Sequence, residues 1–277
     1  MKSIASAFLP AAASLALVCS APLAAQDSAD SAISAEQQAS IEQAMSLGLD
    51  IYRHDQAAWH TTDSLREAIG DPGAAGVRGW VVNEVDGGLE VVYYRPEGDA
   101  YEAVWSAVYD GNTVSKGSAY ASGERALTDG ETEQVNARAA IFTVKTEYQR
   151  CSQGLNIVIL PTGMPDGGLY VYAMSPQPAL DQIPFGGHFR FEVVDGKVVD
   201  HRAFTNSCLT MPLQSPEEGA PAGLMVSHIL DETPTEIHVF STYVAGLPIY
   251  VSTVSNDRVW VIELIEGQPR VRLIRND

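Results

Sequence analysis

From Ser34 onward, Ile41, Ala44, Met45, Gly48, Ile51 and Tyr52 recur every three or four residues, the spacing of one helical face. Ser34-Ala35-Glu36-Gln37 puts a serine at the N-cap and a glutamine three residues on, the capping-box arrangement. The pattern runs to about Trp59, and a second short helix is expected over Thr62 to Ile69, capped by Thr61 or Thr62. Gly70-Asp71-Pro72-Gly73 then ends it, because glycine and proline together break helical backbone.

From Val77 the period changes to two. A two-residue turn at Asp86-Gly87 sets Trp80 opposite Tyr93 and Val82 opposite Val91. A second hairpin joins Tyr101–Tyr109 to Thr113–Tyr120. Residues Thr128 to Tyr148 read as a helix with acids early and Lys145 late, in keeping with the helix dipole. Strands are expected at Leu155–Leu160 and Leu169–Met174, with a proline-containing loop from Ser175 to Pro184. Two more hairpins follow, His188–Val194 with Lys197–Phe204 and Leu224–Leu230 with Glu236–Tyr243, joined by a surface loop over Met211–Gly223. Three closing strands cover Ile249–Val254, Val259–Ile265 and Arg270–Ile274. The expected fold class is α+β, with N-terminal helices and one central helix packed on mostly antiparallel, hairpin-connected β-sheet. Residues 34–277 read as a single domain, and the Gly163–Gly168 loop is the best candidate for a sub-boundary within it.

The first 25 residues follow another logic. Lys2 precedes an uncharged stretch from Ile4 to Val18, and Ala21-Pro22-Leu23-Ala24-Ala25 ends in small residues, the anatomy of a cleavable export signal. Pro10 interrupts the apolar run, which is shorter than the ~20 residues of a membrane span. Cleavage after Ala25 leaves a polar, flexible stretch over residues 26–33. Cys19 offers a lipoprotein alternative, although Val18 stands where a lipobox carries a small residue. The mature protein is therefore expected to be periplasmic or secreted, with no transmembrane segment. In an oxidising compartment Cys151 and Cys208 read as one disulfide, closing a separation of 57 residues.

Charge narrows the partners. Acidic residues outnumber basic ones 35 to 17, for a formal charge of -18, which argues against nucleic acid because phosphate needs lysine and arginine. Recognisable catalytic motifs are absent: there is no Gly-x-Ser-x-Gly, no His-Glu-x-x-His and no phosphate-binding glycine loop. The histidines are the unusual feature, with four of six at His188, His201, His228 and His238. A type I′ turn at Asp195-Gly196 sets Arg190 opposite His201, so that His188, Arg190, Glu192 and His201 share one face. In the next hairpin His228 and His238 face each other directly and form a candidate site for a divalent transition metal. Glu236, Asp231 or a histidine of the other hairpin would be the third ligand.

Cys208, with His201 or His188 as its base, is the other catalytic candidate, in competition with the disulfide. Trp80, Tyr93, Tyr94, Trp105 and Tyr109 form either a stacking platform or a sheet core, and a core is the better account. Asp55–Trp59 reads as helix-end packing. The functional expectation is an exported cell-envelope protein that binds a small molecule, glycan or protein ligand on a β-sheet face. The alternative is a metal-dependent or thiol hydrolase with its site on the 188–238 hairpins.

Overall fold

The computed structural model describes residues 33–145, 149–164, 167–213 and 221–274. The expected leader, Cys19, nearly all of the 26–33 stretch and part of the Met211–Gly223 loop lie outside the described residues.

Helix α1 spans Ala35–Ile69. Ser34 caps it as expected: its hydroxyl accepts the Gln37 N–H and the Gln37 side chain accepts the Ser34 N–H. The helix does not restart at Thr61 or Thr62. Both hydroxyls instead donate back to helix carbonyls, Thr61 to Ala57 and Thr62 to Ala58, each at 2.6 Å. Both also meet the Tyr93 hydroxyl, at 2.9 and 2.7 Å, so the threonines weld the helix to a strand instead of opening a new turn.

Three four-stranded sheets follow. The first is the meander β1 (Gly79–Val85), β2 (Gly88–Glu97), β3 (Ala100–Tyr109) and β4 (Val114–Ala119). Trp80 pairs with Tyr93 and Val82 with Val91, the register its turn predicts. Helix α2 (Asp129–Ala140) follows and gives way to a 3-10 turn at Ile141–Thr143, so it is shorter than expected. The second sheet has the order β5 (Asn156–Pro161), β6 (Leu169–Met174), β8 (Phe189–Val194), β9 (Lys197–Ala203), all antiparallel. A two-stranded ribbon pairs β7 (Gln182–Pro184) with β10 (Thr210–Pro212). The third sheet holds β11 (Leu224–His228), β12 (Ile249–Thr253), β13 (Arg258–Ile265) and β14 (Gln268–Ile274).

The segment expected as the second strand of a 224–243 hairpin is a helix, α3 (Glu236–Ala245). Strand β11 therefore pairs with β12, and does so in parallel, with α3 as the crossover that a parallel pair requires. Thr235 stands at the N-cap, and Gly246 ends the helix in the left-handed conformation that glycine adopts without strain. Around this one parallel pair the fold is α+β: three helices among the described residues pack on mostly antiparallel, hairpin-connected sheet.

Two helices serve two sheets each. Ala57 and Leu65 of α1 pack on Leu89, Val91, Tyr93 and Trp105 of the first sheet. Ile51 of α1, with Ile237 of α3, packs on Val158, Leu160, Tyr172 and Met174 of the second. Val135 of α2 covers the other face of the first sheet, against Val81, Val92 and Tyr94. Ala137 and Ile141 cover the other face of the second, against Phe189, Phe191 and Val171. The aromatic cluster of the first hairpins is thus core, with Tyr93, Tyr94, Trp105 and Tyr109 buried and Trp80 half-buried. Helix α2 also closes an edge. The Gln134 side-chain amide accepts the Val82 N–H and donates to the Val82 carbonyl, both at 3.2 Å, standing in for the missing neighbour of β1.

Candidate functional site

The four clustered histidines divide between two environments. A bulge between Glu192 and Val193 moves the β8–β9 register by one residue beyond the turn. His201 therefore pairs with Phe191, and their rings lie 5.8 Å apart on the α2 side. Arg202 takes the place expected for His201, opposite Arg190. His201 leaves the face expected to hold it together with His188, Arg190 and Glu192, because one extra residue in a strand turns every side chain beyond it to the other side.

His228 and His238 do meet, though by another route. Their rings touch edge to face with centroids 4.7 Å apart, one at the end of β11 and the other in the first turn of α3. His228 Nε2 lies 2.8 Å from Asp231 Oδ2. Asp231 also accepts a bidentate pair of bonds from Arg202, at 3.0 and 2.6 Å. Burial by itself would raise the pKa of this carboxyl, but the bonds from His228 and Arg202 outweigh it and hold Asp231 well below the usual range. His238 Nδ1 accepts the Thr235 N–H at 3.1 Å, so that nitrogen is unprotonated. Desolvation, followed by the nearby His228, lowers His238 to about 3. His188 is buried, donates from Nε2 to the Pro184 carbonyl at 3.0 Å, and is lowered by desolvation to about 4.

Beside this group, Glu236 Oε1 accepts from Arg190 at 2.7 Å and from the Tyr172 hydroxyl at 3.2 Å. Each charge of the network thus has an opposite partner, and the network ties β8 to the first turn of α3 and β9 to the β11–α3 loop. It edges a polar cleft of about 350 Å³. Cys208 is bonded to Cys151 in the expected disulfide, with the Cα atoms 5.4 Å apart, which leaves the competing thiol reading without its nucleophile. Gly186 packs closely against the backbone of Ser207–Leu209 beside that disulfide. Among the described residues no group of three or more His, Cys, Asp and Glu side chains could hold a metal ion.

A larger concavity lies elsewhere. A cleft of about 620 Å³ opens between α1, the C-terminal end of α3 and the segment that follows β6. Because α1 is continuous, Tyr52, Asp55, Trp59, Thr62 and Arg66 form one stripe along it, spaced three, four, three and four apart. Tyr52 stacks on Tyr243 of α3 with ring centroids 4.7 Å apart and planes 16° from parallel. Trp59 keeps 52% of its surface exposed at the rim, and Leu180 on the opposite wall keeps 83%.

Asp55 is half-buried in this cleft. Its carboxyl is pushed up to about 6 by desolvation, against weaker opposing hydrogen bonds from Asn156 and Gln56. The Asn156 amide donates to it at 3.4 Å. The arrangement can hold an organic molecule against aromatic side chains with the Asp55 carboxyl among its polar groups, and its volume falls in the range usual for small-molecule sites. Sequence reasoning treats Asp55–Trp59 as helix-end packing because it ends the first helix at about Trp59. A helix running unbroken to Ile69 would have exposed the stripe, since aromatic and charged residues then alternate down one side.

No helix among the described residues is long and apolar enough to cross a membrane. The chain matches no protein-family model, no curated protein and no solved structure.

Proposed function

We propose that this chain is an exported, acidic protein of the cell envelope that works by binding a small organic ligand in the cleft between α1, α3 and the segment after β6. The observation that carries this reading is the α1 stripe. It presents Tyr52, Asp55 and Trp59 to a cleft of about 620 Å³, where half-exposed rings flank a carboxyl with no ion-pair partner among the described residues. Exposed aromatic surface beside a partly desolvated carboxyl is costly for folding and useful for recognition. The export half of the reading rests on the leader-like first 25 residues and is supported by the Cys151–Cys208 disulfide.

The competing hydrolase reading, centred on residues 188–238, has the His228–Asp231 pair in its favour. Against it, Cys208 is occupied in the disulfide, His201 faces α2, and Asp231 is committed to Arg202.

Two measurements test the proposal. N-terminal sequencing of the exported product should start at Gln26; a product retaining Met1 would remove the export claim. A thermal-shift screen of the mature protein against a broad panel of amines, acids, sugars and aromatics should yield stabilising compounds. Their effect should vanish in Trp59→Ala, an exposed change that leaves the unliganded melting temperature nearly level. Stabilisation that persists in Trp59→Ala and Tyr243→Ala places binding elsewhere and overturns the cleft assignment.

A further inference from the structure

We propose that the cleft selects organic ammonium ions with an apolar body, Asp55 serving as counter-ion and the Tyr52, Trp59 and Tyr243 rings as the apolar wall. This inference rests on the binding reading above and adds the class of ligand.

The first ground is a contrast among carboxylates. Among the described residues the three fully buried acids each have an arginine: Glu102 with Arg95 at 2.7 Å, Glu131 with Arg125 at 2.8 Å, and Glu236 with Arg190 at 2.7 Å. The half-buried Asp231 has Arg202 at 2.6 Å. Among the described residues Asp55 has the amides of Asn156 and Gln56 and no cation, so its negative charge is hydrogen-bonded but not neutralised. A partly desolvated carboxylate without a cation is the group for which a cationic ligand brings the largest electrostatic gain.

The second ground is what surrounds it. Tyr52 lies one helical turn before Asp55 and Trp59 one turn after, so the carboxylate is flanked along the same stripe by aromatic rings, a class of side chain that attracts positive charge. The same protein already uses this contact internally, with Arg138 over the Trp80 ring at 4.9 Å and Arg190 over Tyr170 at 4.8 Å. Third, the cleft's own cation is remote. Arg66 stands eleven residues along α1 from Asp55, about 16 Å by helical rise, and pairs with Asp63 at 3.5 Å. The net charge of -18 favours the approach of cations over anions from solution.

The test uses three probes of similar shape and different charge: phenethylamine, 2-phenylethanol and 3-phenylpropanoate. Binding to the full mature protein is followed at about pH 7.5 by tryptophan fluorescence, since Trp59 and Trp80 line the cleft, and by isothermal titration calorimetry. The amine should bind about tenfold more tightly than the alcohol, and the acid should bind most weakly. Asp55→Asn should bring amine and alcohol to nearly equal affinity while leaving alcohol binding in place. Amine and alcohol binding equally to the unaltered protein, or an amine preference that survives Asp55→Asn, overturns the ammonium inference and leaves the cleft as a site for neutral ligands. If none of the three binds, the inference also falls, and the panel screen alone decides whether the cleft binds anything. The series on the unaltered protein is decisive by itself even where D55N does not fold.

Discussion

His228 and His238 meet edge to face at 4.7 Å although one ends a strand and the other lies in the first turn of a helix. The parallel β11–α3–β12 crossover brings them together, because α3 begins directly after the loop that leaves β11. Both rings are buried, and His228 leans on a carboxylate that Arg202 keeps ionised.

Acid should weaken the fold through its buried imidazoles. His188 and His238 are lowered to about 4 and about 3 in the folded protein, whereas an unfolded histidine titrates near 6.5. The unfolded state therefore binds more protons below that value, so the stabilisation is complete above about 6.5. It is lost as pH falls towards 4 and, for His238, towards 3. His188 contributes roughly 3 kcal/mol by this linkage. Asp55, raised to about 6, works in the opposite direction and partly offsets the loss. Urea midpoints should fall between pH 7 and pH 4.5, and His188→Gln, which keeps a donor for the Pro184 carbonyl, should flatten the slope. A level midpoint in the unaltered protein would contradict the neutral, desolvated rings.

Gly48 should resist alanine. In an isolated helix Gly→Ala gains about 1 kcal/mol. Here the added Cβ would stand 2.8 Å from the Glu236 carbonyl and closer still to Val239, so α1 and α3 would have to separate. Gly48→Ala should lower stability by about 2 kcal/mol in chemical denaturation, the usual size of an overpacking penalty. A gain in stability would show that the helix crossing is loose.

Removing the amide that closes β1 should have two effects. Gln134→Ala leaves the Val82 N–H and carbonyl without their side-chain partner, at a cost of about 1–2 kcal/mol. It also uncovers a strand edge, so sedimentation at high concentration should show self-association that the unaltered protein lacks. Unchanged stability and unchanged sedimentation would mean that water replaces the amide without loss.

The disulfide should contribute on the order of 2–4 kcal/mol, because it closes a separation of 57 residues in the unfolded chain. The Cys151→Ser/Cys208→Ser double variant should therefore unfold at lower urea concentration, with binding in the α1 cleft retained. Loss of binding in a folded double variant would tie the cleft to the Gly187–Cys151 packing.

Local chemistry was legible wherever neighbours in sequence settle the outcome. The Ser34–Gln37 box, the Gly70 stop and the Trp80–Tyr93 register depend on residues a few positions apart, and each is present as read. Helix α3 was not. Glu236-Ile237-His238-Val239-Phe240 is rich in β-branched and aromatic residues, which favour strands. Burial of Ile237 and Val239 against α1, with Thr235 and Gly246 closing the ends, outweighs that preference.

The sequence by itself determined the starts of α1 and α2, the turns at Asp86-Gly87 and Asp195-Gly196, the pairing of the two cysteines and the excess of acid, because each depends on short-range geometry or on composition. Only the tertiary structure decided which side chains meet. A single bulge turned His201 towards α2, a crossover brought His228 to His238, and the unbroken run of α1 placed Asp55 and Trp59 in a cleft. The physical reason is that a one-residue slip in a strand or a continued turn in a helix costs little locally. Packing of distant surfaces selects among such near-equal alternatives, and the side chains that form a site follow from that selection.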